Sequence, residues 1–265
     1  MPGNIRLSVV IPAFNEEPRL PETLRQVGVF LASASFDSEV IVVDDGSTDG
    51  TSAVVRACTA VKPLRLITHP DGANHGKGAA VRRGMLEAHG AYRIFMDADN
   101  STTLDQITSF WPWFDQGYDI VIGSRKKQGA RIEVHQARYK EIAGCWGNWI
   151  IRRLAVPDVE DTQAGFKMFT DRAAEAIFPR QTIDRWGYDF ELLAIARQLG
   201  YRVREVPIVW VNAAGSKVRL RSYLEVLHEV LRVRRNLKTG TYLRITRAID
   251  SKPDASTQPG APIDH

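Results

Sequence analysis

"YRIFMDADNS" (residues 92–101) runs from an apolar, strand-prone stretch straight into two acids, Asp97 and Asp99, one residue apart. Two carboxylates at about 6 Å and an effective dielectric near 20 repel by about 3 kcal/mol. If the chain stays extended they point the same way, because strand side chains repeat every two residues. A divalent cation between them turns repulsion into attraction, and hard oxygen ligands suit Mg2+ or Mn2+. The plainer alternatives are a cap on a helix over 104–115, or solvated carboxylates.

Outward from this stretch the same texture recurs. "IRLSVVI" (5–11), "EVIVVD" (39–44), "LRLI" (64–67), "YRIFMD" (92–97) and "DIVIGS" (119–124) read as strands buried on both faces. Between them Leu20, Leu24, Val27 and Leu31 recur at helical spacing behind Pro21, and 49–60, 77–89 and 104–115 also read as helices. This rhythm predicts an α/β fold with a mostly parallel sheet and right-handed crossovers. After about 125 it breaks. A basic loop (125–131) leads to a helix over 138–154, an irregular "PDVEDTQAGFKMF" (157–169), a helix over 188–199, a strand "REVPIVW" (204–210) and an amphipathic helix near 220–236. The expected organisation is one domain over 1–218 whose character changes at about 125. A basic helical extension over 219–250 and a Pro-rich, disordered tail over 251–265 follow.

Composition bounds the class. The 265 residues are 44% hydrophobic and 25% charged, enough for a substantial core. There is no apolar run long enough to span a membrane and no charged-then-apolar leader. Cys58 and Cys145 lack metal or redox spacing and read as free buried thiols in a reducing cytoplasm. The net charge of +4 is uneven: residues 216–250 carry nine Lys or Arg against three acids, which points to an anionic partner there. No aromatic stacking platform accompanies that segment, so nucleic acid is not expected.

In open parallel sheets, ligands bind beyond the carboxyl ends of the strands. Three polar corners fall there: "PAFNEE" (12–17), "DDGSTDGT" (44–51) and "DADNS" (97–101). Taken singly, "DDGSTDGT" reads equally well as a turn followed by a helix cap. In "HPDGANHGKGAAVRRG" (69–84), Gly76 and Gly78 would let backbone N–H groups approach a phosphate, with Lys77 adding charge at a helix start. The spacing is not a Walker loop, and a flexible turn is the alternative.

"VVIPAFNEE", "EVIVVDDGSTDGT", "NHGKGAAVRRG" and "FMDADNST", in this order and spacing, resemble a family 2 glycosyltransferase of the GT-A fold. "DIVIGSR", "DTQAGFKMF", "WGYDFELLAIARQLGYRVREVPIVW" and "GSK" are similar to its dolichyl-phosphate β-glucosyltransferase branch, among the polyprenyl-phosphate glycosyltransferases, and the likeness covers about residues 7–218. The resemblance implies a GT-A architecture with a mostly parallel central sheet flanked by helices, an irregular acceptor-side region and a C-terminal amphipathic helix. It implies that Pro12, Asn15, Glu16 and Asp45 line the nucleoside pocket, Asp45 at the uracil N–H edge and Glu16 at a ribose hydroxyl, while Asp44 either joins them or supports the strand end. Lys77 would lie near the nucleotide, and Asp97 and Asp99 would hold metal on the diphosphate. Arg125, Arg131 and Lys217 would sit near the leaving diphosphate or an acceptor phosphate. The implied reaction is inverting transfer of a hexose, glucose from UDP-glucose, to a polyprenyl phosphate at the cytoplasmic membrane face.

The acceptor decides whether a base is needed. A monophosphate is already a nucleophilic anion at neutral pH, whereas a hydroxyl needs a carboxylate within reach. Asp161, Asp189 and Glu191 are the candidates; Asp189 also reads as a helix cap, and its spacing from Glu191 lets at most one of the two face the site. Ala164 stands where the branch often has Cys, Asn100 and Thr103 where it has Leu and Pro, and no spanning segment is present, which keeps a soluble hydroxyl acceptor open. On the helix near 220–236, Leu220, Tyr223, Leu224, Leu227, Val230 and Leu231 form one stripe opposite Arg221, Glu225, His228, Arg232 and Arg235. That pattern fits either packing on the domain or peripheral attachment to an anionic membrane through 219–250. A sugar nucleotidyltransferase would need a Gly-rich, Arg-containing loop after the first strand, which "PAFNEE" is not. A silent binding module would have no use for the intact acid pair.

Overall fold

In "LSVVIPA" both odd and even positions are apolar, so the segment needs cover on both faces, and Leu7–Ala13 (β1) receives it near the middle of a seven-stranded sheet. The computed structural model describes residues 5–133, 138–211 and 220–244. Ser38–Asp44 (β2), Leu64–Thr68 (β3), Tyr92–Met96 (β4), Ile120–Ser124 (β5), Phe166–Thr170 (β7) and Val203–Pro207 (β8) complete the sheet in the order β3-β2-β1-β4-β7-β5-β8. Every pairing is parallel except those of β7, which runs antiparallel between β4 and β5. Arg131–Ile132 (β6) and Val209–Trp210 (β9) form a separate parallel pair.

Alternation along the strands divides the core in two. Val10, Ile41, Val43, Phe95, Ile120 and Phe169 face one side, covered by Lys77–Glu87 (α3), Arg138–Leu154 (α5), Asp171–Ile177 (α6), Tyr188–Gln198 (α7) and Leu220–Thr239 (α8). Val9, Ile11, Val40, Val42, Ile94 and Met168 face the other, against Leu20–Ser33 (α1), Thr51–Ala57 (α2) and Trp111–Asp115 (α4). Helix α3 lies directly on the sheet because Gly84 has no side chain: a Cβ there would meet Val10 Cγ1 at 2.4 Å and Val43 Cγ2 at 2.8 Å.

Four expectations need correction. The helix expected over 104–115 is a 3-10 turn over Leu104–Ser109 followed by α4, because Pro112 has no N–H to continue the ladder. The irregular 157–169 segment ends in strand β7, whose pattern Lys167 disguises. The strand over 204–210 splits at Pro207 into β8 and β9. Strand β3 is an edge strand, partly exposed rather than buried on both faces.

The amphipathic helix docks with a different stripe from the one the sequence favours. Val230 and Val233 are buried and Val226 and Leu237 pack on the same core, while Leu227 and Leu231 face outward. Cys58 is a free thiol, partly buried. Where α8 crosses the start of α7, a Cβ at Gly187 would meet Glu229 Oε2 at 2.7 Å. Burial pushes the Glu229 carboxyl from its ordinary 4.5 up to about 7, only partly opposed by the Gly187 N–H. A raised carboxyl favours the protonated form in the folded chain. Its stabilisation is therefore fullest below the unfolded value and is lost as pH rises through about 7. Glu229→Gln is expected to flatten the decline in urea midpoint between about pH 5 and 7 and to raise the midpoint above it. An unchanged slope would refute this account of the α8 contact.

Candidate active site

Strands β1, β2 and β4 are parallel neighbours, so "PAFNEE", "DDGSTDGT" and "DADNS" emerge at one edge of the sheet. The first two corners lock together. Pro12 is a buried residue of β1. Asn15, at φ 52°, receives the Thr48 N–H on Oδ1 at 2.8 Å and donates its own N–H to Ser47 Oγ at 2.9 Å. The Glu16 N–H bonds Thr51 Oγ1 at 2.9 Å, and its carboxylate pairs with Arg19 at 2.6 Å. Asp44 accepts from the Ser47 N–H and the Ser52 hydroxyl, the supporting role left open for it.

Asp45 departs from expectation. It is buried and accepts from the His75 N–H, the Gly76 N–H and Asn74 Nδ2, each at 2.8 Å, with His69 Nε2 at 3.2 Å. Its carboxylate holds the 69–77 loop instead of presenting an open edge to a base. The glycines of "GKG" are corrected in the same way. A Cβ on Gly76 would meet the Asp184 carbonyl at 2.6 Å, and one on Gly78 the Ile183 carbonyl at 2.7 Å. These glycines serve close contact between two protein segments, and the loop is fixed at both ends.

The acid pair sits at the centre of a lattice of charges. Asp97 and Asp99 are half-buried on either side of buried Ala98. The chain is not extended here as expected: strand β4 ends at Met96, and Ala98 and Asp99 lie in a turn closed by the Asn100 N–H on the Asp97 carbonyl at 3.3 Å. Asp99 Oδ1 accepts the Ser101 N–H at 3.0 Å. The Asp97 carboxylate lies so close over Gly165 that a Cβ there would meet Oδ2 at 2.5 Å, which accounts for the glycine in "QAGF". Lys77 Nζ bonds Asp97 Oδ1 at 2.5 Å. Burial opposes the lysine's charge, but Asp97 foremost, then Tyr188 and Asp189, hold it well above the ordinary lysine value. Behind this pair a second one, Lys167 with Asp189, is buried at 2.5 Å, and Lys167 also donates to the Ala164 carbonyl. Burial raises the Asp189 carboxyl, with Lys167 and then Lys77 opposing.

Asp97 and Asp99 are the residues here that could hold a divalent cation. No group of three or more His, Cys, Asp or Glu gathers among the described residues, so further ligands would be water and oxygens of a bound diphosphate, as suits Mg2+. A cation held through Asp97 Oδ1 would compete with Lys77.

A third pair borders the first two. Arg125 donates to Asp161 through its backbone N–H at 2.9 Å and through Nε and Nη2 at 2.8 Å each, while its guanidinium stands 5.4 Å over the Trp210 ring. Burial pushes Asp161 up, but Arg125 prevails and keeps the carboxyl below its usual range. Asp97 and Asp189 also act on Arg125 through space, which places the three pairs in one field. Glu205 accepts the Glu160 and Asp161 N–H groups at 2.8 and 2.9 Å, and Asn148 holds Thr162 and the Glu160 carbonyl. Arg131 lies exposed on β6, and Lys217 falls outside the described residues.

Two of the three proposed bases have both carboxylate oxygens engaged, and the third, Asp189, has one. Asp161 is bidentate to Arg125, and Asp189 is bound to Lys167. Glu191 is buried on the Thr182 and Ile183 N–H groups and the Thr182 and Tyr242 hydroxyls. Glu191 is thereby corrected from a catalytic candidate to a structural one, and Asp161 to the residue that positions Arg125. Sequence reading misses Lys167, Glu205, Asn148 and Tyr188. The available signal is a charge inside an apolar run, as in "GFKMF" and "REVPIVW".

Removing one member of a buried pair strands the other, at a cost of about 3–5 kcal/mol. Lys167→Met is expected to lose that much in urea unfolding, and Lys167→Met with Asp189→Asn to regain much of it. Equal losses in both would show that the pair's charges do not balance each other.

The comparisons agree with this architecture. The Glycosyl transferase family 2 profile matches residues 8–173. A dolichyl-phosphate beta-glucosyltransferase of Trichomonas vaginalis is 34% identical over 245 residues, 88% of this chain and 74% of that one. That of Drosophila melanogaster is 36% identical over 236 residues, 81% of this chain and 70% of that one. The crystal structure of glucosyl-3-phosphoglycerate synthase from Mycobacterium tuberculosis in complex with Mn2+, UDP-glucose and phosphoglyceric acid has the same fold. It aligns at a TM-score of 0.60 and 19% identity over 86% of this chain and 78% of that one. The architecture is therefore the GT-A fold. The chain belongs to glycosyl transferase family 2, resembles its dolichyl-phosphate β-glucosyltransferases over most of its length, and is a glycosyltransferase.

Proposed function

We propose that this enzyme transfers glucose from UDP-glucose to a polyprenyl phosphate of the dolichyl kind, with inversion, using Mg2+ or Mn2+ held by Asp97 and Asp99. The names of the relatives support the sugar and the acceptor. The observation that carries the acceptor class is the engagement of Asp161, Asp189 and Glu191 as counter-ions or turn holders. A hydroxyl acceptor would need one of them as a base, whereas a phosphate monoester, with a second pKa near 6, attacks as it is.

The roles follow from the geometry. Asp161 fixes the Arg125 guanidinium, whose planar donors suit a phosphate oxygen better than an ammonium would. Glu205 and Asn148 hold the segment that carries Asp161, so Arg125 meets its ligand already oriented. When bound, the cation supplies a Lewis-acid charge for diphosphate oxygens that become more negative as the anomeric bond breaks. Lys77 adds a second positive charge beside that position.

Delivery of a lipid needs a membrane-facing surface. Among the described residues no helix is long and apolar enough to cross a membrane. Trp146 and Trp149 of α5, 65% and 59% exposed, and Leu227 and Leu231 of α8, 40% and 52% exposed, lie on contacting helices beside exposed Arg153, Arg234 and Arg235. Tryptophan with arginine suits the interface of an anionic bilayer.

Two measurements test the reading. With radiolabelled UDP-glucose and dolichyl phosphate, label is expected to enter the organic phase, and Asp99→Ala is expected to cut transfer about a hundredfold or more with the fold retained. Asp189→Asn is expected to stay far short of the hundredfold or greater loss that follows removal of a base. Label only in water-soluble product would refute the acceptor. Separately, Trp146→Ser with Trp149→Ser is expected to reduce sedimentation with anionic liposomes without lowering the unfolding midpoint. Undiminished sedimentation would remove this face from the membrane.

A further inference from the structure

The bridge between Lys77 and Asp97 occupies Oδ1 and, if it persisted with metal and nucleotide present, would compete with a cation at the acid pair. The surroundings of Lys77 describe a residue with a second place to go. The Lys77 and Asp97 side chains are only partly enclosed, 29% and 31% exposed, which leaves the lysine stem room to turn. The Tyr188 hydroxyl is buried without a well-formed hydrogen bond, and Lys77 already stands near enough to act on it as a donor as well as a charge. A buried phenol that is poorly hydrogen-bonded costs free energy, and the Lys77 ammonium, once released from Asp97, is the donor able to complete that bond. Asp189, beside Tyr188, attracts the same ammonium. The backbone around Lys77 is fixed by Asp45 on Gly76 and by Asp184 on Ala79, which leaves the side chain as the part that moves.

We propose that Lys77 is an internal counter-ion that takes the metal's place on Asp97 and yields it, turning toward Tyr188 and Asp189, when metal and nucleotide diphosphate arrive together. The inference rests on the metal-dependent reading of the acid pair and adds an order of binding to it. Metal alone competes with a tethered cation and binds weakly. Nucleotide brings its own oxygens to the cation and draws Lys77 away from Asp97. Coupling of this kind is reciprocal: whatever weakens metal binding without nucleotide also makes nucleotide binding depend more on metal.

The two roles of a lysine at such a site predict opposite signs. A lysine that only binds phosphate leaves metal affinity unchanged when neutralised. A lysine that occupies the metal's place raises it. Mn2+ binding by Lys77→Gln and wild type, followed by electron paramagnetic resonance without nucleotide and again with UDP, separates them. The expected result is that Lys77→Gln binds Mn2+ alone about tenfold or more tightly than wild type, within the usual range of coupling between ligands, and that UDP sharpens its Mn2+ affinity less than it does for wild type. Tyr188→Phe, which removes the second partner and keeps the bridge, is expected to leave wild-type affinity for Mn2+ alone and to weaken it with UDP present. Equal affinity of Lys77→Gln and wild type for Mn2+ alone, with UDP-dependent binding in both, would overturn the counter-ion and leave the metal site standing. Absence of Mn2+ binding in both proteins with UDP present would remove the metal site and the counter-ion with it.

Discussion

The constraint on which the site depends is charge balance at the rim of the sheet. Lys77, Lys167 and Arg125 are set against Asp97, Asp189 and Asp161, with two of the three pairs largely withdrawn from water. Each of these carboxylates would be expensive there alone, and each is tolerated because a cation from a different segment meets it. The pairs therefore tie distant parts of the chain together: the start of α3 to the end of β4, β7 to α7, and the end of β5 to the loop before β7. Asp99 is the remaining acid of the group, and among the described residues it makes no ion pair. The rim thus holds more negative than positive charge at the place where an incoming cation would enter.

The antiparallel strand β7 explains why these pairs can form. A purely parallel sheet would separate β4 and β5 by a crossover on one face. Inserting β7 between them brings the "DTQAG" turn back to the carboxyl edge, with Asp161 at its start and Gly165 at its end under Asp97. Lys167 then points into the helical side of the core, where α7 supplies Asp189. Glycine at 165 and lysine at 167 are two consequences of one topological choice.

Much of the first half is legible from sequence because its signals are local. Strand, acidic corner and helix follow one another within each unit, and Pro21, Gly46 and Asn15 mark the turns by backbone preference alone. The second half is less legible because its determinants are contacts across the chain. Lys167 interrupts an apolar run, so "FKMFT" loses the pattern of a strand, although the lysine is fully buried against an acid 22 residues away. Gly76 and Gly78 look like a phosphate cradle because close backbone approach favours glycine whichever partner is close. Here the partner is the 183–184 backbone. On α8 the pattern of large apolar residues misleads, since Leu227 and Leu231 are the bulkier choice but Val230 and Val233 face the core.

The positions at which sequence reasoning goes wrong share a physical feature. The family resemblance puts Asp45 in the nucleoside pocket, and the need of a hydroxyl acceptor for a base makes Asp161 and Glu191 candidates. Each instead satisfies backbone N–H groups of a loop or turn that would otherwise be buried without partners. An acid cannot hold a loop with every oxygen and also take a proton from a substrate. What these acids do is fix the residues that remain accessible: Asp45 sets the loop that carries Lys77, and Asp161 sets Arg125. On the reading proposed above, the catalytic character of the rim passes from the acids to the cations they position. That suits a reaction in which the nucleophile is already charged and the leaving group is the part that needs stabilisation.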